Sequence, residues 1–522
     1  MLRMRRIGLA LVVFLSANLC AKQNPDPQKD AQSTAPAGAN APATLTFKSH
    51  SDLVLVPVVV RGHKGKYIAG LSRDKFRLEE NGKEQAITLF EEVQPLSADS
   101  TSPSESDRGY SNLPFDGIRP AGLTIIVLDL LNSSPFQRED GKEQIVKFLS
   151  HGLAPNQTVS LLCITSRGIR QVHPFTSDTN SLIEAIHKTP LGAESIVSGQ
   201  GTSTPGPFRE SLVLSTIGQI KEIAQAYVGV PGRKSLILAA AAIPGLATES
   251  QIWDSSVLAG DLRQMWNSLI EANISIYPIH LMEWSRNPNR GGATGRLDIN
   301  LDQFADSTGG KRCIEANGLI SCLAEAVDDS RFYYMLGFSV QPDDRKPGWR
   351  YLKVKVSAEH ADVSARNGFY YGAARAEVPK RSEEINTLAS PLPHSAVPMY
   401  VKVLPPPPAP SPASVSSSSG KTAVEFMMTL PLGSVTIDRS RRTSLDLEIG
   451  AIALTKDIKE AAEFLEPVRG NPTNEDLQRW AHEGLRLPAK LDLPPGSYDI
   501  RFFARDNNAD QIGTVVFPLD VK

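Results

Sequence analysis

Three cysteines in the body of the chain are the residues whose spacing most directly suggests chemistry. Cys313 and Cys322 lie close together in the sequence, so a disulfide between them would close a small loop in an oxidising compartment. Two unpaired thiols are the alternative. Cys163 lies in the apolar run 159–164, where a cysteine is usually an inert part of the core. The sequence therefore favours one disulfide, Cys313–Cys322, and assigns no reactivity to Cys163.

Residues that could catalyse hydrolysis are present, but they are not grouped in a known motif. The sequence contains no Gly-x-Ser-x-Gly, His-Glu-x-x-His, Gly-x-Gly-x-x-Gly or phosphate-binding loop. The nine histidines are scattered, and His280, just past a predicted strand end, is the only one in a suggestive place. A structural or surface role is more common for such a histidine. Ser195 and Ser203 lie in a long loop without an evident base. An unrecognised hydrolase is therefore the third-ranked function, and we expect no catalytic residues.

The first 21 residues have the layout of a secretory signal peptide. Three arginines precede the apolar run 7–15, and small residues follow it. That run is too short to span a bilayer, and no other segment is long enough. Cleavage after Ala21 is the expected processing. Cys20 raises the alternative of a lipid anchor, which the absence of a small residue directly before it disfavours. We therefore expect an exported protein that is periplasmic, cell-surface or secreted and has no membrane span.

Composition and charge argue against some classes of partner. The 522-residue chain carries 55 Lys plus Arg and 57 Asp plus Glu, which gives a formal net charge of −2. This balance gives no electrostatic reason to expect nucleic acid or an acidic membrane surface as a partner. The apolar content of 41% is ordinary for a globular protein. The length predicts roughly two to four domains.

The N-terminal part of the mature chain changes from a tether to β-structure. Residues 22–44 are rich in Pro, Ala, Ser and Thr and are predicted to be a disordered linker. Residues 45–95 are predicted to be β-rich, because the β-branched run 53–60 is followed by the hairpin signal Asn81-Gly82. Residues 96–117 are polar and are predicted to be a second linker.

Residues 118–330 alternate apolar strands with helical patterns, which favours a parallel sheet. The continuous apolar run 123–129 is typical of a strand covered by helices on both faces. The fold predicted for this region is α/β, a doubly wound, mostly parallel sheet.

The remaining chain returns to β-structure. Residues 331–375 contain short strands that we expect to complete the N-terminal sandwich, because neither half has enough strands alone. Residues 376–394 are predicted to be a linker. Residues 395–522 are predicted to form a C-terminal β-sandwich-like domain, with one helix at residues 474–483.

Several of these stretches together resemble the von Willebrand factor A-related domain proteins found in Acidobacteria. In chain order they are residues 53–60, 76–82, 232–237, 272–278, 305–310, 334–338 and 365–370. The resemblance covers residues 50–372. It implies an A-like α/β domain with flanking antiparallel β-sandwiches and an extracytoplasmic role in binding or structure.

An A-like domain also implies a metal-ion-dependent adhesion site built on Asp-x-Ser-x-Ser after the first strand. Asp129 and Ser133 would be the first and last of these ligands, and Thr202 or Thr204 would be the later threonine. The middle position is Leu131, which cannot bind a cation.

A later aspartate of the motif is also missing, because residues 239–242 are all alanine. The site is therefore degenerate. We expect no dedicated cofactor, and any Mg²⁺ or Ca²⁺ would bind weakly. A hydrogen bond from Asp129 to local backbone is the alternative role.

Ligands of doubly wound sheets bind outside the carboxyl ends of the strands. Here that edge comprises residues 129–134, 195–206 and 241–245 and the segment after His280. The leading hypothesis is a non-catalytic, adhesion-type protein that binds an unknown protein ligand at this edge. The alternative is a structural or assembly component of the cell envelope without a metal site.

Overall fold

The protein is described from a computed structural model of the chain. All described residues belong to one compact unit, residues 46–522. The described residues are 53–62, 65–95, 109–114, 122–151, 153, 157–190, 206–241, 257–281, 294–313, 315–340, 346–372, 387–405, 420–441 and 443–522. The predicted signal peptide, the linker at 22–44 and Cys20 lie outside them.

The strands and helices are numbered in chain order. The strands are β1 (Leu53–Arg61), β2 (Phe76–Glu80), β3 (Lys83–Gln85), β4 (Leu89–Val93), β5 (Tyr110–Ser111), β6 (Gly122–Asp129), β7 (Gln157–Thr165), β8 (Gly168–Thr176), β9 (Lys234–Ala240), β10 (Ile274–His280), β11 (Tyr333–Ser339), β12 (Gly348–Val356), β13 (Asp362–Ala365), β14 (Gly368–Tyr371), β15 (Tyr400–Val403), β16 (Thr422–Leu430), β17 (Leu445–Thr455), β18 (Glu460–Gly470), β19 (Leu485–Leu493), β20 (Gly496–Asp506) and β21 (Gln511–Val521). The helices are α1 (Pro135–Leu149), α2 (Thr179–Lys188), α3 (Gly206–Ala226), α4 (Val257–Glu271), α5 (Thr294–Thr308), α6 (Glu315–Asp329) and α7 (Asn474–Glu483). The fold is mixed α/β, with one mixed sheet and four antiparallel sheets.

The α/β region, residues 122–329, is built on the mixed sheet, whose strand order is β10-β9-β6-β7-β8. Strands β10, β9, β6 and β7 are parallel, and β8 is antiparallel to β7. Every residue of β6 is buried, because α3, α4 and α5 pack on one face of the sheet and α1, α2 and α6 pack on the other. The ends of β6, β7, β9 and β10 form the carboxyl-end edge, where Asp129 and His280 lie.

The N-terminal β-domain combines strands from both sides of the α/β region. Its sheets have the orders β13-β1-β11-β4 and β14-β12-β2-β3. Strand β1 pairs with β11 from Leu53 opposite Ser339 to Val58 opposite Tyr334. The two sheets enclose one core, because alternate residues of six of the eight strands point inward. The small number of strands in residues 45–95 and in residues 331–375 favours this arrangement.

Buried polar groups join the N-terminal β-domain to the amino-end edge of the mixed sheet. Arg61 of β1 donates from Nε to Asp329 Oδ1 (3.1 Å) and from Nη2 to the Glu325 carbonyl (2.8 Å). The Tyr277 hydroxyl also donates to Asp329 and accepts from Arg233 Nη2 at 2.9 Å. We call Arg61, Arg233, Tyr277 and Asp329 the junction cluster.

The C-terminal β-domain has sheets of order β19-β16-β15-β5 and β18-β17-β20-β21. The predicted linker at residues 96–117 is wrong at its end, because β5 belongs to this domain. Asn112 is 2% exposed, and its amide donates to the carbonyls of His394 (2.7 Å) and Val397 (2.9 Å). Its Oδ1 accepts from the Met399 amide at 2.9 Å. One polar side chain thus anchors a segment whose composition is that of a loop.

The predicted linker at residues 376–394 is likewise wrong for residues 387–394. Leu392 is fully buried in the core that faces α3. The Ser390 hydroxyl donates to Glu222 of α3 at 2.6 Å, and Ser395 donates to the Ala226 carbonyl at 2.7 Å. A single leucine and two serines therefore dock this segment on α3, which fixes the C-terminal β-domain to the α/β region.

Candidate functional site

The turn that follows β6 is organised by Asp129. This residue is fully buried, and its Oδ1 accepts hydrogen bonds from the backbone amides of Leu131 (2.9 Å) and Asn132 (3.0 Å). Its Oδ2 accepts from the side-chain amide of Asn132 at 2.8 Å. Asp129 therefore satisfies local donors at the strand end, which is the alternative role considered from the sequence.

The same turn is tied to helix α3. Asn132 Nδ2 also donates to the Thr216 hydroxyl at 2.9 Å, and that hydroxyl donates to the Leu212 carbonyl. Leu131 points into the core on the α3 side of the sheet. Leu131, which cannot bind a cation, therefore packs in the core.

Burial dominates the electrostatics of Asp129. Desolvation raises its pKa to about 6, against the lowering effects of its hydrogen bonds and of the positive charge of Arg138. Arg138 is itself fully buried near the start of α1. A buried positive charge in the helix that follows the turn therefore acts on Asp129.

Of the other residues of the predicted site, the structure describes only Ser133. Ser133 is fully buried, and within the described part of the chain neither its hydroxyl nor Asn132 Oδ1 has a hydrogen-bond partner. Thr202 and Thr204 lie outside the described residues, as do Ser195, Ser203 and the segments 242–256 and 282–293. Among the described residues, the Thr216 hydroxyl of α3 is bonded to the Asn132 side chain, and sequence reasoning missed it because it lies 84 residues from Asn132 on a helix.

The described residues do not fit a dedicated divalent-cation site. Mg²⁺ and Ca²⁺ need several free oxygen ligands. Three N–H groups already occupy the carboxylate of Asp129. No group of three His, Cys, Asp or Glu side chains that could hold a metal ion occurs among the described residues.

The start of α1 presents an exposed aromatic ring at the carboxyl-end edge. Ser134 and Gln137 form a capping box, with Pro135 in the first turn, and Gln137 Nε2 also donates to the Leu281 carbonyl after β10 at 3.0 Å. Phe136 between them is 59% exposed. The exposure of this residue could have been predicted from the sequence. Phe136 lies on the same helical face as Asp140 and Glu143, opposite the apolar stripe of α1.

The structure joins Cys313 and Cys322 in a disulfide, and Cys163 is a buried free thiol. The Cys313 amide donates to the Pro278 carbonyl at 3.0 Å, so the bonded segment lies along the outer side of β10. His280, at the end of β10, is half-buried. The disulfide therefore ties α6 to the outer strand of the mixed sheet.

Comparison with known proteins finds similarity to solved structures alone. No protein-family model matches the chain, and no curated protein matches it. Structural neighbours include two von Willebrand factor A (VWA) or related domains. The SpRpn10 VWA domain is 14% identical over 40% of this chain and 97% of its own, with a TM-score of 0.21. The TFIIH p34 N-terminal domain is 12% identical over 41% of this chain and 97% of its own, with a TM-score of 0.23.

A third neighbour spans more of the chain. The pilus adhesin SpaC from Lactobacillus rhamnosus GG is 8% identical over 88% of this chain and 59% of its own, with a TM-score of 0.27. At such TM-scores none of these similarities decides a function. Across the described residues, no helix has the length and apolar character needed to cross a membrane.

Proposed function

We propose that the protein is an exported, non-catalytic interaction protein of the von Willebrand factor A-related type, and that a protein partner binds at the carboxyl-end edge. The exposed ring of Phe136 carries this proposal. It stands at the edge where ligands of such sheets bind, and aromatic side chains are enriched at protein interfaces. The capping box holds the helix end on which it is mounted, so little order would have to be gained on binding.

The sheet edges support binding at this surface over binding by strand addition. All described edge strands of seven residues or more contain a proline, which cannot donate to an added strand. These residues are Pro174 in β8, Pro278 in β10, Pro467 in β18, Pro488 in β19 and Pro518 in β21. A partner would therefore meet side chains and loops instead of an open sheet edge.

The proposal is tested by site-specific photocrosslinking of the full chain in its source cells. A photoreactive phenylalanine analogue at position 136 is compared with the same analogue at Tyr351, an aromatic residue of the N-terminal β-domain that is 51% exposed. We expect a discrete protein adduct from position 136 and none from position 351. Phe136→Ala should weaken binding of the identified partner at least tenfold, which corresponds to about 1.4 kcal/mol or more.

A structural component of the envelope is the second candidate. The turn after β6 favours it, because Leu131, Asn132 and Ser133 are covered by the protein itself. The docking of residues 387–395 on α3 also fits a rigid building block. Equal adducts at both positions, or none at position 136, would support this candidate and count against the first.

A further inference from the structure

The side-chain amide of Asn132 lies between two oxygens that a cation would need. Its nitrogen is 2.8 Å from Asp129 Oδ2 and 2.9 Å from Thr216 Oγ1. A carboxylate and a threonine hydroxyl are oxygen ligands of the kind that hard divalent ions use. Here one neutral NH₂ group donates a separate hydrogen bond to each of them.

An ion bound to both oxygens would take the position of the Asn132 amide nitrogen. The other oxygen of Asp129 accepts from two backbone amides, so N–H groups surround the carboxylate. A cation that approached would have to displace the Asn132 amide and face the positive ends of those N–H dipoles. Its charge would also be repelled by the buried guanidinium of Arg138.

We propose that Asn132 is an internal substitute for a metal ion, a positioning residue that joins Asp129 to Thr216 and makes the turn after β6 independent of divalent cations. The amide supplies the bridge between the two oxygens, and Arg138 supplies the positive charge. Metal independence concerns the turn itself and does not depend on whether a protein partner binds near Phe136.

The first test uses the full chain. Calorimetric titration with Mg²⁺, Mn²⁺ and Ca²⁺ should show no stoichiometric binding, and EDTA should leave the Tm unchanged. Stoichiometric binding that disappears in Asp129→Ala would overturn the proposal, because it would mean that an ion displaces the amide.

The second test removes the substitute. Asn132→Ala leaves an ion-sized gap beside Asp129 and Thr216, so its Tm should fall and then rise by about 2 °C or more with millimolar Mn²⁺. The wild type and the double variant Asn132→Ala/Asp129→Asn should not respond. Asn132→Ser, which opens a smaller gap, is the second variant if the alanine variant fails to fold.

Asn112→Ala is the matched control, since Asn112 is a buried asparagine with three backbone partners. Its Tm should fall and should not recover with Mn²⁺. If Asn132→Ala and Asn132→Ser are as insensitive to Mn²⁺ as this control, the amide does not stand in the place of an ion, and the proposal is wrong.

Discussion

Asp129 and Asp329 are buried aspartates at opposite edges of the mixed sheet, and they are satisfied in different ways. Asp129 takes its hydrogen bonds from residues two and three positions further along the chain. Asp329 takes them from Arg61, 268 residues away, and from Tyr277, 52 residues away. The first arrangement shapes a turn, and the second joins two domains.

The difference in sequence separation predicts a difference in energetic consequence. A local turn keeps most of its geometry when one partner is changed, because the chain itself holds the remaining groups together. A junction of separate elements leaves a buried charge unpaired when one partner is removed. The carboxyl-end edge should therefore tolerate substitution better than the junction cluster.

The largest effect is expected for Arg61→Ala. This change removes the cationic partner of Asp329, whose side chain is 5% exposed, so the free energy of unfolding should fall by about 3–5 kcal/mol. Urea denaturation followed by circular dichroism measures it. Lys188→Ala, which breaks an exposed ion pair with Glu184, is the control and should have no measurable effect.

The double variant Arg61→Met/Asp329→Leu sharpens this prediction. Replacing both charged partners by apolar groups removes the unpaired carboxylate but also takes a counter-charge from the buried Arg233, so only part of the lost stability should return. If Arg61→Ala were as stable as Lys188→Ala, the junction cluster would not hold the domains together.

The next effect concerns His394, which lies in the docked segment between α3 and the C-terminal β-domain. It is 7% exposed, its Nε2 has no hydrogen-bond partner among the residues described, and burial lowers its pKa to about 4. The unfolded chain, with a histidine pKa near 6.5, binds more protons between these values. Stability should therefore fall by about 3 kcal/mol as the pH drops from 6.5 to 4.

His394→Gln should remove that pH dependence, as measured by urea denaturation across this range. His360→Gln is the control, because the side chain of His360 is 75% exposed. An unchanged pH profile in His394→Gln would mean that the His394 ring is not the group that causes the loss of stability at low pH.

The sequence predicted local structure better than long-range contacts, for physical reasons. The apolar run of β6 and the turn Asn81-Gly82 depend on neighbouring residues, and both are found as strand and hairpin. Helix α7 spans the predicted residues 474–483, because its amphipathic pattern and its Thr473 cap are local. The coarse class, α/β with antiparallel β-sheets, follows from such local patterns.

Long-range contacts that depend on one polar side chain could not be predicted from the sequence. The role of Asn112 depends on carbonyls about 280 residues away, and its own neighbours are those of a loop. At the candidate site the sequence located Asp129 and the loss of the middle ligand at Leu131. It did not reveal the Asn132–Thr216 bond or the burial of Arg138, because both depend on how α3 and α1 pack on the sheet.

Asp129→Asn should have an effect opposite in sign to that of the junction variants. The folded-state pKa of Asp129, about 6, is above its unfolded value of 3.8, so the folded state binds more protons between these pH values. Stability is therefore lost as the pH rises from 3.8 to 6, by roughly 2–3 kcal/mol. The variant should lack this pH dependence, so its stability relative to the wild type should rise between pH 4 and pH 7.

The pH profile of the wild type alone will not show the contribution of Asp129. Asp129 and His394 change the stability in opposite directions over nearly the same pH range. The comparison therefore requires urea denaturation of Asp129→Asn, His394→Gln and the double variant at each pH. If Asp129→Asn were instead less stable at pH 7 and insensitive to pH, the carboxylate would be needed in its charged form, as at a metal site.

The smallest effect is expected for Thr216→Val, which removes the one described hydrogen bond from the Asn132 side chain to α3. Valine keeps the shape of threonine, and the Asn132 amide still donates to Asp129, so the loss should be about 0.5–1.5 kcal/mol. Ser211→Ala, on an exposed position of the same helix, is the control and should change nothing measurable in urea denaturation. A loss comparable with that of Arg61→Ala would break the contrast between the two edges, because it would make the turn after β6 as dependent on a distant element as the junction cluster is.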